Sequence, residues 1–264
     1  MAALLELYLN PFLIFVLVLA RIGALVMSAP LWGTRAVPFQ VRILIAVALS
    51  LLVTPTQAHH YVVPPENLIA WMTALGGEVL LGLTLGLGVM MVFAGLQLAG
   101  QILGQMNGMA LADIFDPTFE NSVPVLTQLY DLLALAVFLC IGGHRQVMMA
   151  LLDTFQFVPP GGATFDSGAF DTLSQIMAQS FVLGIRAAAP VMAALLLSVL
   201  VMGLISRTLP QLNVLAVGFS FNTLVMLGML CLTLGTAVWV FQEHSDAALE
   251  ALRAITAPGT AHDP

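Results

Sequence analysis

Three of the few polar residues that could serve a mechanism occur together with a proline in this sequence. Arg207, Pro210, Gln211 and Asn213 lie within seven residues, between two long apolar runs. Proline lacks a backbone N–H and disfavours helix at the preceding residue, so a helix must end near Leu209. Arg207 complements the dipole of that helix end, and the two amides can satisfy free backbone groups. The stretch predicts the capped tip of a long helical hairpin. This tip either lines a passage or only sets the geometry of the hairpin and of subunit packing, and we favour the second interpretation.

A second polar group follows this tip on the returning helix. Gly218 and Asn222 are four residues apart and therefore share one face of a helix, with Ser220 and Thr223 beside them. A simple loop between two helices needs no such second group.

Three charged residues, Arg21, Glu78 and Arg186, fall inside or beside apolar runs. An unpaired charge in such a place is unfavourable, so each needs a partner or a polar cavity. One interpretation is a proton or ion pathway, and the other is a set of buried ion pairs that lock helices or subunits together. Because only three such groups occur, without a chain of Asp, Glu or His, we favour the second.

The remaining reactive residue types form no pattern typical of a catalytic or metal site. His59 and His60 have no acid at metal-ligand spacing, and His144 is isolated. Cys140 and Cys231 lie inside apolar runs and share no CxxC or CxxxH pattern. No GxSxG, HExxH or phosphate-binding glycine loop occurs. We therefore predict no catalytic, cofactor-binding or metal-binding residues, no cofactor, and a protein that is not an enzyme.

The composition indicates a membrane protein. Of 264 residues, 60% are hydrophobic and only 8% are charged, whereas soluble domains carry roughly 25% charged residues. All seven basic residues are arginines, and the net charge of −7 argues against a nucleic-acid partner. The surroundings of this chain must largely be membrane lipid or apolar surfaces of neighbouring subunits.

Six apolar stretches organise the chain, with short connectors between them. Their approximate ranges are 11–30, 41–55, 68–112, 123–141, 173–205 and 212–241. As one helix, the third would be about 67 Å long, compared with about 30 Å for the hydrocarbon core of a bilayer. It is therefore either a broken pair of helices or one helix sheltered by other protein. The connectors leave no room for a soluble module, so residues 1–264 are predicted to form a single domain.

Glycines recur at four-residue intervals in the third stretch. On a helix this interval aligns small residues along one face, so that another backbone can approach closely. The packing could be within one subunit or between subunits, and both interpretations stay open. The residues concerned are Gly82, Gly86, Gly100, Gly104 and Gly108.

The end of the third stretch combines amides with thioethers. Gln105 and Asn107 alternate with Met106, and Met109 follows. Such flexible side chains could line a gate that must deform when it opens, whereas filling of a core is the alternative for any single methionine.

The chain resembles the FliR family of flagellar biosynthesis proteins, which is related to the SctT family of injectisomes. The resemblance covers nearly the whole chain and is carried by "LARIGALVMSAPLWGTRAVPFQVRILIAVALS", "GEVLLGLTLGLGVMMVFAGLQLAGQILGQMNGMALADIFDP", "GGHRQVMMALLDTFQFVPPGG" and "SRTLPQLNVLAVGF". The last is the most specific, since Arg-x-x-Pro-Gln-x-Asn/Ser before an apolar "GF" is typical of the family. The chain departs from the family at Phe39-Gln40, where a basic residue commonly follows "VP", and at Ser220, where proline is often found.

The resemblance implies a subunit of the core export gate of a type III secretion apparatus. FliR-like proteins join FliP-like and FliQ-like subunits there, and FlhB-like and FlhA-like proteins are further partners. Unfolded secretion substrates pass through the centre of this assembly, much of which is raised out of the membrane plane.

The expected fold is all-α: membrane-derived helical hairpins whose long helices pack laterally into a hetero-oligomeric gate. The expected function is a channel-forming subunit in the bacterial inner membrane, within the flagellar basal body. The alternatives are the equivalent subunit of a virulence injectisome and, from another class, an ion-coupled secondary transporter that uses Arg21, Glu78 and Arg186.

Overall fold

The computed structural model of the chain describes residues 2–30, 37–59, 67–107, 125–163, 167–208 and 214–254. These residues form α-helices and one short 3₁₀ turn, Thr54–Gln57, and contain no β-strand. The prediction of an all-α fold is thus confirmed. The helices are α1 (Ala2–Ser28), α2 (Phe39–Val53), α3 (Leu68–Met106), α4 (Val125–Cys140), α5 (Gly143–Phe157), α6 (Ser167–Thr208) and α7 (Val214–Ala254).

Three of these helices are far longer than a bilayer requires. Helices α3, α6 and α7 have 39, 42 and 41 residues, which corresponds to about 58–63 Å at ~1.5 Å per residue. The hydrocarbon core of a bilayer is about 30 Å thick. Helix α3 runs without interruption from Leu68 to Met106, so this part of the third apolar stretch is one helix and not a broken pair.

The helices are apolar enough to account for a membrane location. Among the described residues, five segments meet the length and hydropathy that a membrane span needs, and α4 with α5 would form a sixth if this bent pair counts as one. Pro11 in α1 and Pro190 in α6 do not end their helices, as is common where neighbouring groups replace the lost backbone bond. The five segments are Leu9–Ser28, Phe39–Gln57, Leu68–Met106, Gly168–Thr208 and Val217–Ala254.

The chain divides into two compact units; three of the four boundaries fall inside the long helices, and the fourth, at 141/142, lies between α4 and α5. The first unit comprises residues 1–91, 142–177 and 246–264, and the second comprises 92–141 and 178–245. A single functional domain over residues 1–264 stays a prediction.

The core of the first unit is built around the buried face of α1. Ile14, Leu17 and Leu25 are fully buried there, at the spacing of one helical face. Helix α1 also packs against α2. Leu151 and Phe155 of α5 belong to the same unit and are buried as well.

The core of the second unit contains a cluster of three aromatic rings. The ring of Phe93 lies edge-on to Phe138 and to Phe241, with centroid distances of 5.2 Å and 5.6 Å. All three side chains are almost completely buried. This edge-to-face arrangement is favourable beyond simple burial and holds α3, α4 and α7 together within the unit.

Candidate functional site

The first candidate site is a buried ion pair in the first unit. Arg21 Nε on α1 donates a hydrogen bond of 2.6 Å to Glu78 Oε2 on α3. Both side chains are 0% exposed. A lone charge at this depth would be strongly destabilising, whereas two hydrogen-bonded opposite charges compensate each other.

The rest of the guanidinium group is satisfied by α5 and the turn that follows it. Arg21 Nη1 donates to Thr154 Oγ1 at 2.9 Å, and both terminal nitrogens donate to the Val158 carbonyl at 3.1 Å. The guanidinium carbon lies 4.2 Å from the centroid of the Phe155 ring, a cation–π distance. One arginine therefore connects α1 to α3, α5 and the start of the next turn.

The second carboxylate oxygen of Glu78 binds the same turn. Glu78 Oε1 accepts a hydrogen bond of 2.8 Å from the Gly161 N–H. Gly161 has φ 87°, a conformation that favours glycine. Each nitrogen and oxygen atom of the two charged groups therefore has at least one hydrogen-bond partner on a neighbouring helix or on the turn. These contacts join α1, α3, α5 and the following turn, which fits the interpretation as a structural link; that role stays a prediction.

Arg186, the third charge singled out from the sequence, is not part of this network. It lies exposed on α6 and makes no hydrogen bond or ion pair with the part of the chain that the structure describes. Arg186 thus has no ion-pair partner among the described residues, because its side chain is exposed on α6; a pair with another subunit stays a prediction.

The second candidate site is a pair of interhelical polar contacts in the second unit. Ser198 Oγ on α6 donates a short hydrogen bond to Asn222 Oδ1 on α7. Along the sequence, the two residues lie equally far before and after Pro210. The second polar group that follows the predicted hairpin tip thus binds the opposite arm at the matching height.

A further contact attaches α7 to the end of α3. Asn107 Nδ2 donates to Thr223 Oγ1 at 3.3 Å, and Thr223 Oγ1 donates in turn to the Phe219 carbonyl at 2.8 Å. Asn107 is 2% exposed, and its Oδ1 accepts no hydrogen bond from the described residues. Buried side-chain amides usually have hydrogen-bond partners for both their oxygen and their nitrogen. A further hydrogen-bond donor at Asn107 Oδ1 would therefore be favourable.

The other residues predicted to line a gate are placed differently. Gln105 is exposed, Met106 is half-buried, and Met109 lies outside the described residues. A gate-lining role for the group stays a prediction.

The predicted hairpin tip is described only in part. Helix α6 ends at Thr208 and α7 begins at Val214, with exposed Arg207 in the last turn of α6. Pro210, Gln211 and Asn213 lie outside the described residues.

Three of the five predicted glycines pack against other helices of the same chain. A Cβ at Gly82 would overlap the Arg21 carbonyl oxygen, and a Cβ at Gly86 would overlap Ser28 Oγ. At Gly100 it would lie 2.6 Å from Thr127 Cα, again a backbone atom. Glycine is thus required at these positions because α1 and α4 approach the backbone of α3. Of the remaining two, Gly104 is buried and Gly108 lies outside the described residues.

Sequence reasoning missed two interhelical contacts that involve α3. Gln97 Nε2 donates to Asp131 Oδ1 on α4 at 2.7 Å, and a charged residue inside the fourth apolar stretch was the available signal. A Cβ at Gly184 on α6 would lie 2.6 Å from the Gly95 carbonyl oxygen. No regular glycine spacing marks that second contact in the sequence.

No metal site accompanies these contacts: the described ranges contain no group of three or more His, Cys, Asp or Glu residues that could hold an ion. What the two candidate sites can do is bind helices to one another inside an apolar environment. The class defined by this fold and these sites is an all-helical membrane protein in which buried polar side chains join neighbouring helices.

Comparison with known proteins makes the family explicit. The profile described as "Bacterial export proteins, family 1" matches residues 12–248. The chain is 31% identical over 226 residues to "Flagellar biosynthetic protein FliR" of Escherichia coli (strain K12), which covers 86% of this chain and 85% of that protein. It is 33% identical over 224 residues to the protein of that name from Pectobacterium carotovorum, with 85% of each chain covered. For Bacillus subtilis (strain 168) the identity is 30% over 249 residues, covering 92% of this chain and 94% of the relative.

The chain therefore belongs to the FliR family of bacterial export proteins. The resemblance inferred from the sequence motifs is confirmed. The protein is a component of the flagellar export apparatus, and the family together with five candidate membrane spans assigns it to the inner membrane.

The bond across the α6–α7 hairpin allows a first prediction. Replacing both Ser198 and Asn222 with alanine should reveal a coupling of about 1 kcal/mol in a double-mutant cycle, a typical size for hydrogen bonds between membrane helices. The measurement is the thermal unfolding of the detergent-solubilised protein. Thr233 is the matched control, since its hydroxyl binds only the Met229 carbonyl of its own helix. Additive effects for Ser198 with Asn222, as expected for Ser198 with Thr233, would contradict the structural role.

Proposed function

We propose that this chain is a channel-forming subunit of the flagellar type III export gate. Together with FliP-like and FliQ-like subunits, it passes unfolded flagellar proteins across the inner membrane. FlhB-like and FlhA-like proteins are the further partners that we expect at this gate.

The observation that carries the proposal is the surface of the long helices. In an apolar stretch of 18 residues within each helix, the share of residues buried inside the chain is 56% for α3, 28% for α6 and 22% for α7. At about 60 Å these helices exceed a bilayer core roughly twofold, so lipid alone does not cover their apolar faces. Exposed apolar surface of this extent is typical of contact with other protein.

The buried polar contacts support a passive mechanism for such a subunit. Hydrogen bonds across the α6–α7 hairpin, and from Asn107 to Thr223, keep long apolar helices in register. Arg207 and the adjacent residues Pro210, Gln211 and Asn213 set the geometry of the tip at which neighbouring subunits pack. Gln105, Met106, Asn107 and Met109 are the residues that we assign to the deformable lining.

The alternative of an ion-coupled transporter finds less support. It requires Arg21, Glu78 and Arg186 to act along one pathway, whereas Arg21 and Glu78 are enclosed in a satisfied network that Arg186 does not join. The equivalent subunit of an injectisome has the same physical requirements. A motility assay separates the flagellar subunit from the injectisome subunit, because loss of the gene should abolish export of flagellar filament protein only in the flagellar case.

Co-expression provides the test of the proposal. Produced with FliP-like and FliQ-like proteins and solubilised in mild detergent, the chain should be recovered in a stable hetero-oligomer, which native mass measurement can identify. Its exposed apolar helices should be covered by those subunits. Recovery only as a monomer or dimer, with substrate-dependent ion flux after reconstitution, would contradict the proposal and support the transporter.

A further inference from the structure

Arg186 is a cation on an uncovered and largely apolar face of α6, which also carries exposed Gln179 seven residues earlier. Arg186 is exposed, with the exposed side chains of Val182 and Ile185 next to it. Among the described residues it has neither an ion pair nor a hydrogen bond. A permanently charged guanidinium is unfavourable in such surroundings unless an anion neutralises it.

The surface around Arg186 is shaped for close approach of another helix. Ala189 and Ala193 follow Arg186 at intervals of three and seven residues, so they lie on the same face of α6, and both are exposed. Small residues on a membrane helix allow a second backbone to come near. Further along, Leu196 and Leu200 extend the exposed apolar strip. An apolar helix could therefore lie along this face with one of its side chains at the height of Arg186.

The backbone at this point offers a hydrogen-bond acceptor as well as a charge. Pro190 lies inside α6, four residues after Arg186. Because proline has no N–H, the Arg186 carbonyl lacks the donor that it has in a regular α-helix. The site thus combines a cation with a carbonyl oxygen that is available to a donor.

We propose that this face of α6 binds an apolar helix of a neighbouring gate subunit, and that Arg186 pairs there with a carboxylate of that helix. A protein helix supplies a carboxylate, a nearby hydroxyl or amide donor and an apolar surface together. A lipid phosphate supplies only the anion, and it leaves the alanine surface without a closely fitting partner. The inference rests on the proposed function and specifies the chemistry of one of its interfaces.

The pairing would position the two helices as well as hold them together. Arginine and a carboxylate form two parallel hydrogen bonds in a fixed plane, so the contact sets the height of one helix relative to the other. In low-dielectric surroundings such a charge match also discriminates against a helix shifted along its axis.

Charge reversal in the co-expressed complex tests the proposal. Arg186→Glu should lower the yield of the hetero-oligomer about tenfold or more, since two carboxylates would then face each other in an apolar interface. Arg186→Lys keeps the charge but not the fork geometry, so it should retain yield within about threefold. Arg145→Glu is the matched control, because Arg145 is an exposed arginine that belongs to a different helix, α5.

Rescue identifies the occupant. Each Asp and Glu within the apolar segments of the FliP-like and FliQ-like proteins is changed to lysine or arginine in the Arg186→Glu background. Restoration of assembly by one such change, which alone disrupts assembly with the unaltered chain, would support the proposal. If no change restores assembly, the proposal is overturned.

Two further outcomes are decisive. Unchanged assembly of Arg186→Glu would also overturn the proposal. If native mass spectra show that this intact variant complex has lost a bound anionic lipid, the occupant is a lipid phosphate and not a protein helix. If the unaltered chain itself forms no hetero-oligomer, the proposed function fails instead. The two failures are therefore distinguishable.

Discussion

Replacing Arg21 with leucine while Glu78 remains should lower the free energy of unfolding by about 3–5 kcal/mol, the usual effect of leaving one member of a buried ion pair alone. The Glu78 carboxylate, 0% exposed, would lose its neutralising charge, and the Val158 carbonyl would lose both of its guanidinium donors. The measurement is thermal or denaturant unfolding of the detergent-solubilised protein.

The double variant Arg21→Leu/Glu78→Leu is the control for this result. It removes both charges and replaces them with apolar side chains, so it should be clearly more stable than the single variant. Residual destabilisation is expected from Thr154 and Gly161, which lose their partners in the network. Equal stability of single and double variants would show that the ion pair is not what holds this site together.

The second large effect that we expect is the loss of stability when Gly82 of α3 is replaced. Gly82→Ala should lower the free energy of unfolding by about 1–3 kcal/mol, the range typical of overpacking. The added methyl group would overlap the Arg21 carbonyl oxygen, and a backbone atom cannot move aside as a flexible side chain can. The change would separate α1 from α3 where the ion pair joins them.

Gly76→Ala on the same helix is the matched control. A Cβ at Gly76 meets nothing within 4 Å, and alanine has a higher helix propensity than glycine by about 1 kcal/mol. This substitution should therefore leave the protein equally stable or more stable in the same unfolding measurement. Loss of stability at both positions would contradict the assignment of Gly82 as a site of close helix contact.

The two substitutions also bear on assembly. Because Gly82 and Arg21 face each other within one chain, their replacement should reduce the yield of folded subunit before it meets its partners. Arg186→Glu should instead leave folded subunit in the membrane and reduce only the hetero-oligomer. These expectations separate internal links from contacts between subunits.

Local chemistry allowed much of the secondary structure to be predicted. Pro210 and its polar neighbours indicated that one helix ends and another begins there, and the structure has α6 ending at Thr208 and α7 beginning at Val214. The apolar runs likewise predicted the long helices. Such features depend on backbone hydrogen bonding and on side chains a few residues apart, which the sequence displays directly.

The three charges in apolar runs show where prediction from the sequence ends. Arg21, Glu78 and Arg186 have similar apolar neighbours along the chain, yet the first two are fully buried and paired while the third is exposed. Which face of a helix is covered depends on helices that are distant in sequence. The Arg21 partner Thr154, for example, is 133 residues away.

The sequence by itself determined the helical class, the membrane environment, the family and the place where α6 ends and α7 begins, because composition, short motifs and local backbone chemistry carry that information. Only the tertiary structure decided that Glu78 and the Val158 carbonyl enclose Arg21, that Ser198 meets Asn222, and that the backbone of α1 requires glycine at position 82. These contacts arise when helix faces from distant parts of the chain meet. A buried polar group needs a hydrogen-bond partner on the opposite surface, and a glycine is needed where the opposite backbone approaches too closely for a Cβ.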